Sequence, residues 1–408
     1  MRSLWFLAAA LVAASGARAQ PVTYAGALQS AQAGAPDLEA RRLQIDTARA
    51  AAQPASALPD PKLGLGLDNF PISGPPAGKF GADDMTMARV GLMQEVPNRE
   101  KRRARGARAV ADITVAIAAS RVEVRDVRLA TAQAWLDLFF GRKRLDAVED
   151  LIHALAPLYA AAPSAVASGA QRPAEALEAD TLRADLDDRH AELTAKLASA
   201  RAQLTRWTGI AAPDAVGPAP QIEIDPALLR AALDGNPRLG ALDARATQAQ
   251  ADIRLARAEK RPDWAWEVAY QRRDPMFGDM VSAGVTISLP IFGRTRQDPL
   301  IAAKVATAGA VRAQRESARR ALQADLEGAL ADHAMHHEQF VRARDILLPL
   351  AKRRADLETA SYAAGRASLG DVQQALTTLA NAQLSYLERE AQVATDAAQL
   401  TLTYGSDQ

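Results

Sequence analysis

The sequence predicts a mainly α fold with a small β part: long, coiled-coil-like helices and four strands per protomer, in two structural repeats. Three observations predict it. Aromatic residues make up only 5% of the chain, too few for a large all-β protein, while alanine is abundant beside Leu, Arg, Glu, Asp and Gln. A set of landmarks recurs once along the chain at a nearly constant offset. Four short segments abandon the helical period for strict alternation.

The 408 residues carry 49 basic and 48 acidic side chains, a formal charge of +1. That balance excludes a nucleic-acid-binding reading based on net charge. Cysteine is absent. Disulfides, cysteine metal sites, thiol catalysis and a lipid anchor on an N-terminal Cys are therefore excluded.

Residues 1–19 read as a signal peptide. Arg2 precedes an apolar run from Leu4 to Ala14, and Ala17-x-Ala19 fits a signal-peptidase site. Removing this stretch takes Arg2 and Arg18 but no acid, so the formal charge moves from +1 to −1. The protein is expected to be exported. No other apolar run approaches the ~20 residues of a membrane-spanning helix. Any membrane crossing must use strands.

The repeat organises the rest. Ala35-Pro36-Asp37-Leu38 recurs as Asn236-Pro237-Arg238-Leu239, and Gly91 with Pro97 recurs as Gly284 with Pro290. Ser168-Gly169 recurs as Ala364-Gly365, and Leu204 with Gly209 recurs as Leu400 with Gly405. The first repeat is assigned to 20–211, a Pro-rich linker to 212–224 and the second repeat to 225–408. Each reads as helix, β-hairpin (62–96 and 263–290), long helix, turn (near 169 and near 365), helix.

The helix signals are local. Asp225-Pro226 is an N-cap followed by Pro in the first turn, and the helix it opens is predicted to stop at Arg261-Pro262. The matching helix is predicted from about Thr23 to Ala57, before Pro59-Asp60-Pro61. The second helices, Arg99–Val166 and Arg294–Tyr362, would each span about 100 Å at ~1.5 Å per residue. That length suits a coiled-coil-like wall. The last helices run from about Pro173 to Trp207 and from Ser368 to Tyr404. A first and a last helix together match one long helix, so two short helices stacked end to end beside each long one predict a segment of a hollow tube.

Trp264, Trp266, Val268 and Tyr270 alternate with Ala265, Glu267, Ala269 and Gln271. Val281, Ala283, Val285, Ile287 and Leu289 alternate with Ser282, Gly284, Thr286 and Ser288. Leu63, Leu65 and Leu67 alternate with Gly64, Gly66 and Asp68, while Val90, Leu92 and Val96 lie opposite Gly91, Met93 and Glu95 in a strand extended back to Met85. Each strand has the length of a tilted transmembrane strand, and Trp264 and Trp266 sit where an interfacial aromatic belt would lie. The same pattern also fits two water-soluble hairpins capping a helical bundle. Against that, the helices are already committed to one another and leave the apolar strand faces uncovered. In lipid, four strands need closure from further copies. Two copies make an eight-stranded barrel filled by its own side chains, whereas a homotrimer makes a 12-stranded barrel with room for a channel.

Enzyme motifs are missing: no phosphate loop, nucleophile elbow, HExxH or dinucleotide fingerprint occurs. No cofactor is implied. His333 and His337 share a helix face with His336 near them, a candidate for a soft divalent metal, with an exposed polar face as the plainer account. Met85, Met87 and Met93 read as ordinary strand residues. Asp371, after Ser368-Leu369-Gly370, and its counterpart Glu175 after Pro173 read as first-turn acids that complement a helix dipole.

This layout resembles the TolC-like outer-membrane efflux proteins over essentially the whole chain. The stretch Ala57-Leu58-Pro59-Asp60-Pro61-Lys62-Leu63-Gly64-Leu65-Gly66-Leu67-Asp68-Asn69-Phe70-Pro71 is similar to the first strand of the heavy-metal, CusC/CzcC-like branch. Met93-Gln94-Glu95-Val96-Pro97, followed by Glu100-Lys101-Arg102, resembles that branch's strand-to-helix exit. Many relatives carry a lipidated N-terminal Cys that this chain lacks, so its anchoring would rest on the barrel.

The resemblance implies a homotrimeric barrel in outer-membrane lipid, continued by a periplasmic α-barrel. It implies docking onto a periplasmic adaptor (membrane fusion) protein and an inner-membrane RND pump, with no nucleic acid and no catalysis. It implies a pore constriction at Asp371 and Gln374, with Glu175 and Glu178 as their first-repeat counterparts. It places the adaptor-docking tips at Ser168, Gly169 and Ala170 and at Gly365 and Arg366. The alternatives are a duct for multidrug efflux or type I secretion, and a non-channel periplasmic coiled-coil adaptor or spacer.

Overall fold

The computed structural model describes residues 19–80, 83–167 and 172–405, and of Glu175 and Glu178 it describes the backbone only. The expected signal segment as far as Arg18 and the expected tip residues Ser168, Gly169 and Ala170 lie outside the described residues.

The first repeat opens with β1 (Gln20–Val22), α1 (Tyr24–Gly34) and α2 (Pro36–Ala52). It continues through β2 (Lys62–Asp68), β3 (Met87–Val96), the 69-residue α3 (Arg99–Ala167) and α4 (Pro173–Thr208). Then come β4 (Pro213–Ala215), α5 (Pro226–Ala232), α6 (Pro237–Ala258), β5 (Asp263–Arg272) and β6 (Met280–Ser288). The chain ends in α7 (Gln297–Arg342), a π-helical turn Ala343–Leu347, α8 (Leu348–Ala363) and α9 (Leu369–Tyr404).

Several expected elements are corrected. The single helix expected from Thr23 to Ala57 is two, because Pro36 forces the preceding Ala35 into an extended conformation (φ −67°, ψ 124°). Its counterpart breaks at Asn236 (φ −61°, ψ 129°), whose side chain caps the new helix through Arg238 N. The second long helix is not continuous α-helix. Pro349 has no N–H and its ring would meet the carbonyl four residues back, and the wider Ala343–Leu347 turn lies just upstream of it. The strand expected to begin at Met85 begins at Met87, because Asp83 accepts from the N–H groups of Met85 and Thr86 and turns the chain there. The Pro-rich linker contains a strand that was not expected: β4 pairs in parallel with β1, Val22 opposite Ala215.

The chain forms two compact units, each drawing on both repeats. One comprises the chain up to Leu38, Val124–Leu233 and the part from Gln323 onward. Its core surrounds Trp135, with Phe140, Leu138, Leu204, Ala394 and Ala398 buried about it. Trp135 stacks on Phe139 at 4.8 Å between centroids, and its Nε1 donates to the Val22 carbonyl at 2.9 Å. The abundant alanines at helix contacts let backbones approach closely: Ala27, Ala31, Ala394 and Ala397 are all buried.

The other unit comprises Glu39–Glu123 and Asp234–Leu322. It holds one antiparallel sheet in the order β2-β3-β5-β6, so the two hairpins join through β3 and β5 and leave β2 and β6 as edges. Asn98 organises the exit from the sheet. Its side chain caps α3 at Lys101 N (2.8 Å) and donates to the Ala258 carbonyl that ends α6 (3.1 Å). Its backbone N–H donates to Asp263 at the start of β5 (2.7 Å). Lys101 Nζ holds the other oxygen of Asp263 at 2.7 Å.

Candidate functional site

The register of the sheet sorts its residues into two faces. Leu65 pairs with Val90, Val90 with Tyr270, and Tyr270 with Val281. Leu63, Leu92, Val268 and Ala283 form the next row, and Val96, Trp264 and Ile287 a row nearer the helices. One face is therefore almost wholly apolar, and it is uncovered: Leu65 is 74% exposed and Val281 71%. Patches of this kind mark a surface that meets another protein or a membrane. Trp264 (45% exposed) and Trp266 lie on this face at the end where α6 passes into β5.

The opposite face is built of small and polar residues. Gly64 faces Gly91, Gly91 faces Ala269, and Ala269 faces Ser282. Arg89 reaches both Glu267, in a short contact, and Asp68 at 4.0 Å. Lys62 and Glu95 pair at the edge. Sequence reading picked out the small residues of this face but missed Arg89 as its charged centre. Only the register brings Asp68, Arg89 and Glu267 together from three strands.

The turn before α9 belongs to the other unit. Gly365 has φ +71°, Gly365 N donates to Tyr362 O at 2.9 Å, and Arg366 N donates to Ser361 O at 2.8 Å. This is a Schellman ending, which requires the left-handed residue that Gly supplies. Ser368 then caps α9. Its hydroxyl accepts from Asp371 N at 3.2 Å, while the Asp371 carboxylate accepts from Ser368 N at 2.9 Å. These bonds hold the exposed Asp371 carboxyl below the usual carboxylate range. Gln374, one turn on, is also exposed, whereas Val372 and Gln373 are buried. Glu175 and Glu178 lie in the opening turns of α4.

The histidines divide. His333 is buried and its Nδ1 has no hydrogen-bond partner among the described residues. Burial pushes its pKa down, opposed by the Asp396 carboxylate. His337 lies 6.2 Å from it between ring centroids, and His336 Nδ1 sits 2.7 Å from Asp396 Oδ2. Among the described residues, no three His, Cys, Asp or Glu side chains are placed to share a metal ion. Among them too, no helix is long and apolar enough to cross a membrane.

The sheet, the paired repeats and the helix lengths together define a known architecture. The sequence profile of the outer membrane efflux protein family matches residues 27–210 and 228–406, one stretch in each repeat, and the chain belongs to that family. It is a family of efflux proteins, not enzymes, and membership places the chain at the outer membrane. The cobalt-zinc-cadmium resistance protein CzcC of Cupriavidus metallidurans is 25% identical over 377 residues, covering 90% of this chain and 86% of that one. A crystal structure of a membrane protein from Pseudomonas aeruginosa superposes with a TM-score of 0.80 at 17% identity, covering 94% of this chain and 90% of the other. Crystal structures of CusC, described in terms of folding and transmembrane channel formation, give 0.78 at 17% identity over 94% and 92%. The likeness to these structures shows a shared fold: mainly helical, with two repeats and a small sheet.

Proposed function

We propose that the protein is the outer-membrane exit duct of a tripartite RND-type efflux pump and that its cargo is heavy-metal cations. One observation carries the duct: a four-stranded sheet with an exposed apolar face, a small and polar opposite face, and two unpaired edges, β2 and β6. Unpaired edges do not persist in lipid, so the sheet closes with those of other copies, β6 of one protomer against β2 of the next. Three copies give a 12-stranded homotrimeric barrel wide enough for a channel. The apolar face then meets lipid, with Trp264 and Trp266 at the periplasmic interface, and the Gly-rich face lines the lumen.

In this reading the turn at Gly365 and Arg366, with Ser168, Gly169 and Ala170 in the first repeat, meets a periplasmic adaptor protein. Asp371 and Gln374, with Glu175 and Glu178, surround the constriction just past it. Metal cargo is supported by the CzcC relative, whose name records cobalt, zinc and cadmium resistance. The test is a deletion strain plated on cobalt, zinc, cadmium and copper beside detergents and dyes. Sensitivity confined to the metals is expected. Sensitivity confined to organic compounds would move the assignment to a multidrug duct. A chain that fractionates away from the outer membrane and shows no heat-modifiable migration would be an adaptor or spacer instead.

A further inference from the structure

Where the first turns of α3 pack beside the last turns of α6, inside the sheet-bearing unit, there is a cavity of about 380 Å³. Four exposed arginines line it, Arg103, Arg254, Arg257 and Arg261, with a single acid, Glu100. Buried Ala104 and Ala258 form part of its wall, and their small side chains leave the space between the two helices open.

At the same junction Lys101 has Asp263 at 2.7 Å, Lys260 has Asp298 at 2.6 Å, and Arg108 has Asp252. In the cavity, Arg103 and Arg261 share Glu100 at 3.6 and 3.8 Å. Arg254 and Arg257 have no ion-pair partner among the described residues. Helix dipoles do not account for the group. The C-terminal end of α6 suits Arg254 and Arg257, but Arg103 stands in the second turn of α3, near the positive end of that helix. Four arginines beside one acid give the groove an excess of positive charge, which favours an anion among them. The planar, multiply donating guanidinium matches phosphate oxygens in particular.

We propose that this cavity binds the phosphate of an anionic lipid headgroup. The lipid source rests on the duct reading, in which the sheet spans the outer membrane. Arg103 and Arg257 lie a few residues beyond Val96 and before Asp263, where the strands begin, and Trp264 marks that end of the apolar face. A phosphate held at this level leaves its acyl chains at the depth of the apolar strands. Free inorganic phosphate offers the same oxygens without the chains, so the two sources separate experimentally.

The test uses the full-length protein in a neutral maltoside detergent, titrated with phosphatidylglycerol, with phosphatidylcholine and with inorganic phosphate. Bound lipid is read by native mass spectrometry and stabilisation by thermal unfolding. Phosphatidylglycerol is expected to bind saturably and tighter than phosphatidylcholine. The Arg254→Gln/Arg257→Gln variant should weaken it by about tenfold, the scale of a lost charge-assisted contact. Arg353→Gln, at an exposed position in the other unit, should leave it unchanged. Glutamine keeps helix propensity at exposed positions, and unchanged heat-modifiable migration checks assembly. Equal phosphatidylglycerol affinity in the wild type and the double variant overturns the site. Inorganic phosphate that stabilises as much as the lipid and displaces it overturns the lipid assignment in favour of a free anion. Failure of the duct reading shows separately, as loss of outer-membrane fractionation by the wild type itself.

Discussion

Ser368 and Asp371 bind each other reciprocally. The Ser368 hydroxyl accepts from Asp371 N, and Asp371 Oδ2 takes both the N–H and the hydroxyl of Ser368, at 2.9 and 2.8 Å. Both bonds to the carboxylate fall on Oδ2. The cap therefore fixes the side chain at the start of α9 and keeps it ionised, with Oδ1 available to solvent. A structural role and a charge in a pore are compatible here, and two variants separate them. Ser368→Ala should lower the melting temperature and leave conductance selectivity as in wild type. Asp371→Asn should reduce cation selectivity and the block by multivalent cations in a planar bilayer. Unchanged selectivity in Asp371→Asn would leave Asp371 as a capping residue alone.

The same pair fixes a pH dependence. The Asp371 carboxyl titrates below its unfolded value because Ser368 bonds to its charged form. Its contribution is therefore fully present above about pH 4, the unfolded carboxylate range, and is lost as pH falls through the lower folded value. The melting-temperature gap between wild type and Asp371→Asn should be constant at neutral pH and narrow below about pH 4. A gap that stays constant to pH 3 would contradict the bonding described.

Gly365 carries the other constraint of this turn. Among the described residues, no atom beyond its chain neighbours lies within 4 Å of the position a Cβ would take, so the cost of a side chain is in the backbone. At φ +71° a β-branched residue should cost about 1–2 kcal/mol or more. Gly365→Asn, which tolerates the left-handed region, should keep both stability and efflux. Gly365→Val should lose efflux while the trimer still assembles. Normal efflux from Gly365→Val at normal protein level would remove the docking role.

His333 is the opposite electrostatic case. Burial is the main cause that lowers its pKa; His337 and His336 add to it, and Asp396 and a backbone bond at Ile222 oppose it. The folded protein thus keeps His333 neutral in a range where the unfolded chain already binds a proton. Stability should fall as pH drops below about 6.5, the unfolded imidazole value. His333→Leu should flatten that slope in melting curves recorded between pH 8 and pH 5. A slope identical to wild type would mean that His333 is not the group responsible.

Much of this was legible in the sequence because the signals are local. Period-two alternation located the four strands of the antiparallel sheet, and Ser368-Leu369-Gly370-Asp371 announced a capped helix start. What escaped depends on distant contacts. The β1 strand is three residues long and finds its partner only at Pro213–Ala215, with Trp135 bonded to the same Val22 carbonyl. The helix breaks at Pro36 and Pro237 were visible as repeat landmarks, but each was overridden by the helical composition on both sides. The Arg89 cluster and the four-arginine cavity join residues from strands or helices far apart in sequence, so no spacing rule exposes them.

The two faces of the sheet give the most direct test of its orientation. Val268 lies in the apolar row with Leu92 and Ala283, whereas Thr286 lies on the opposite face beside Ala265. Both are on strands of the same sheet, so a change at either perturbs similar backbone. If the apolar face meets lipid, arginine at Val268 must be buried in hydrocarbon or drag water and headgroups inward, at about 2–4 kcal/mol near mid-membrane. Arginine at Thr286 would stand in an aqueous lumen and cost little. Val268→Arg should sharply reduce the heat-modifiable, outer-membrane form, and Thr286→Arg should assemble normally while changing conductance. If the sheet were a water-soluble cap with its apolar face against protein, Val268→Arg would still destabilise, but Thr286→Arg would not alter ion flow. The discriminating measurement is therefore the conductance of the assembled Thr286→Arg protein. An unchanged value would mean that the Gly-rich face does not line a channel.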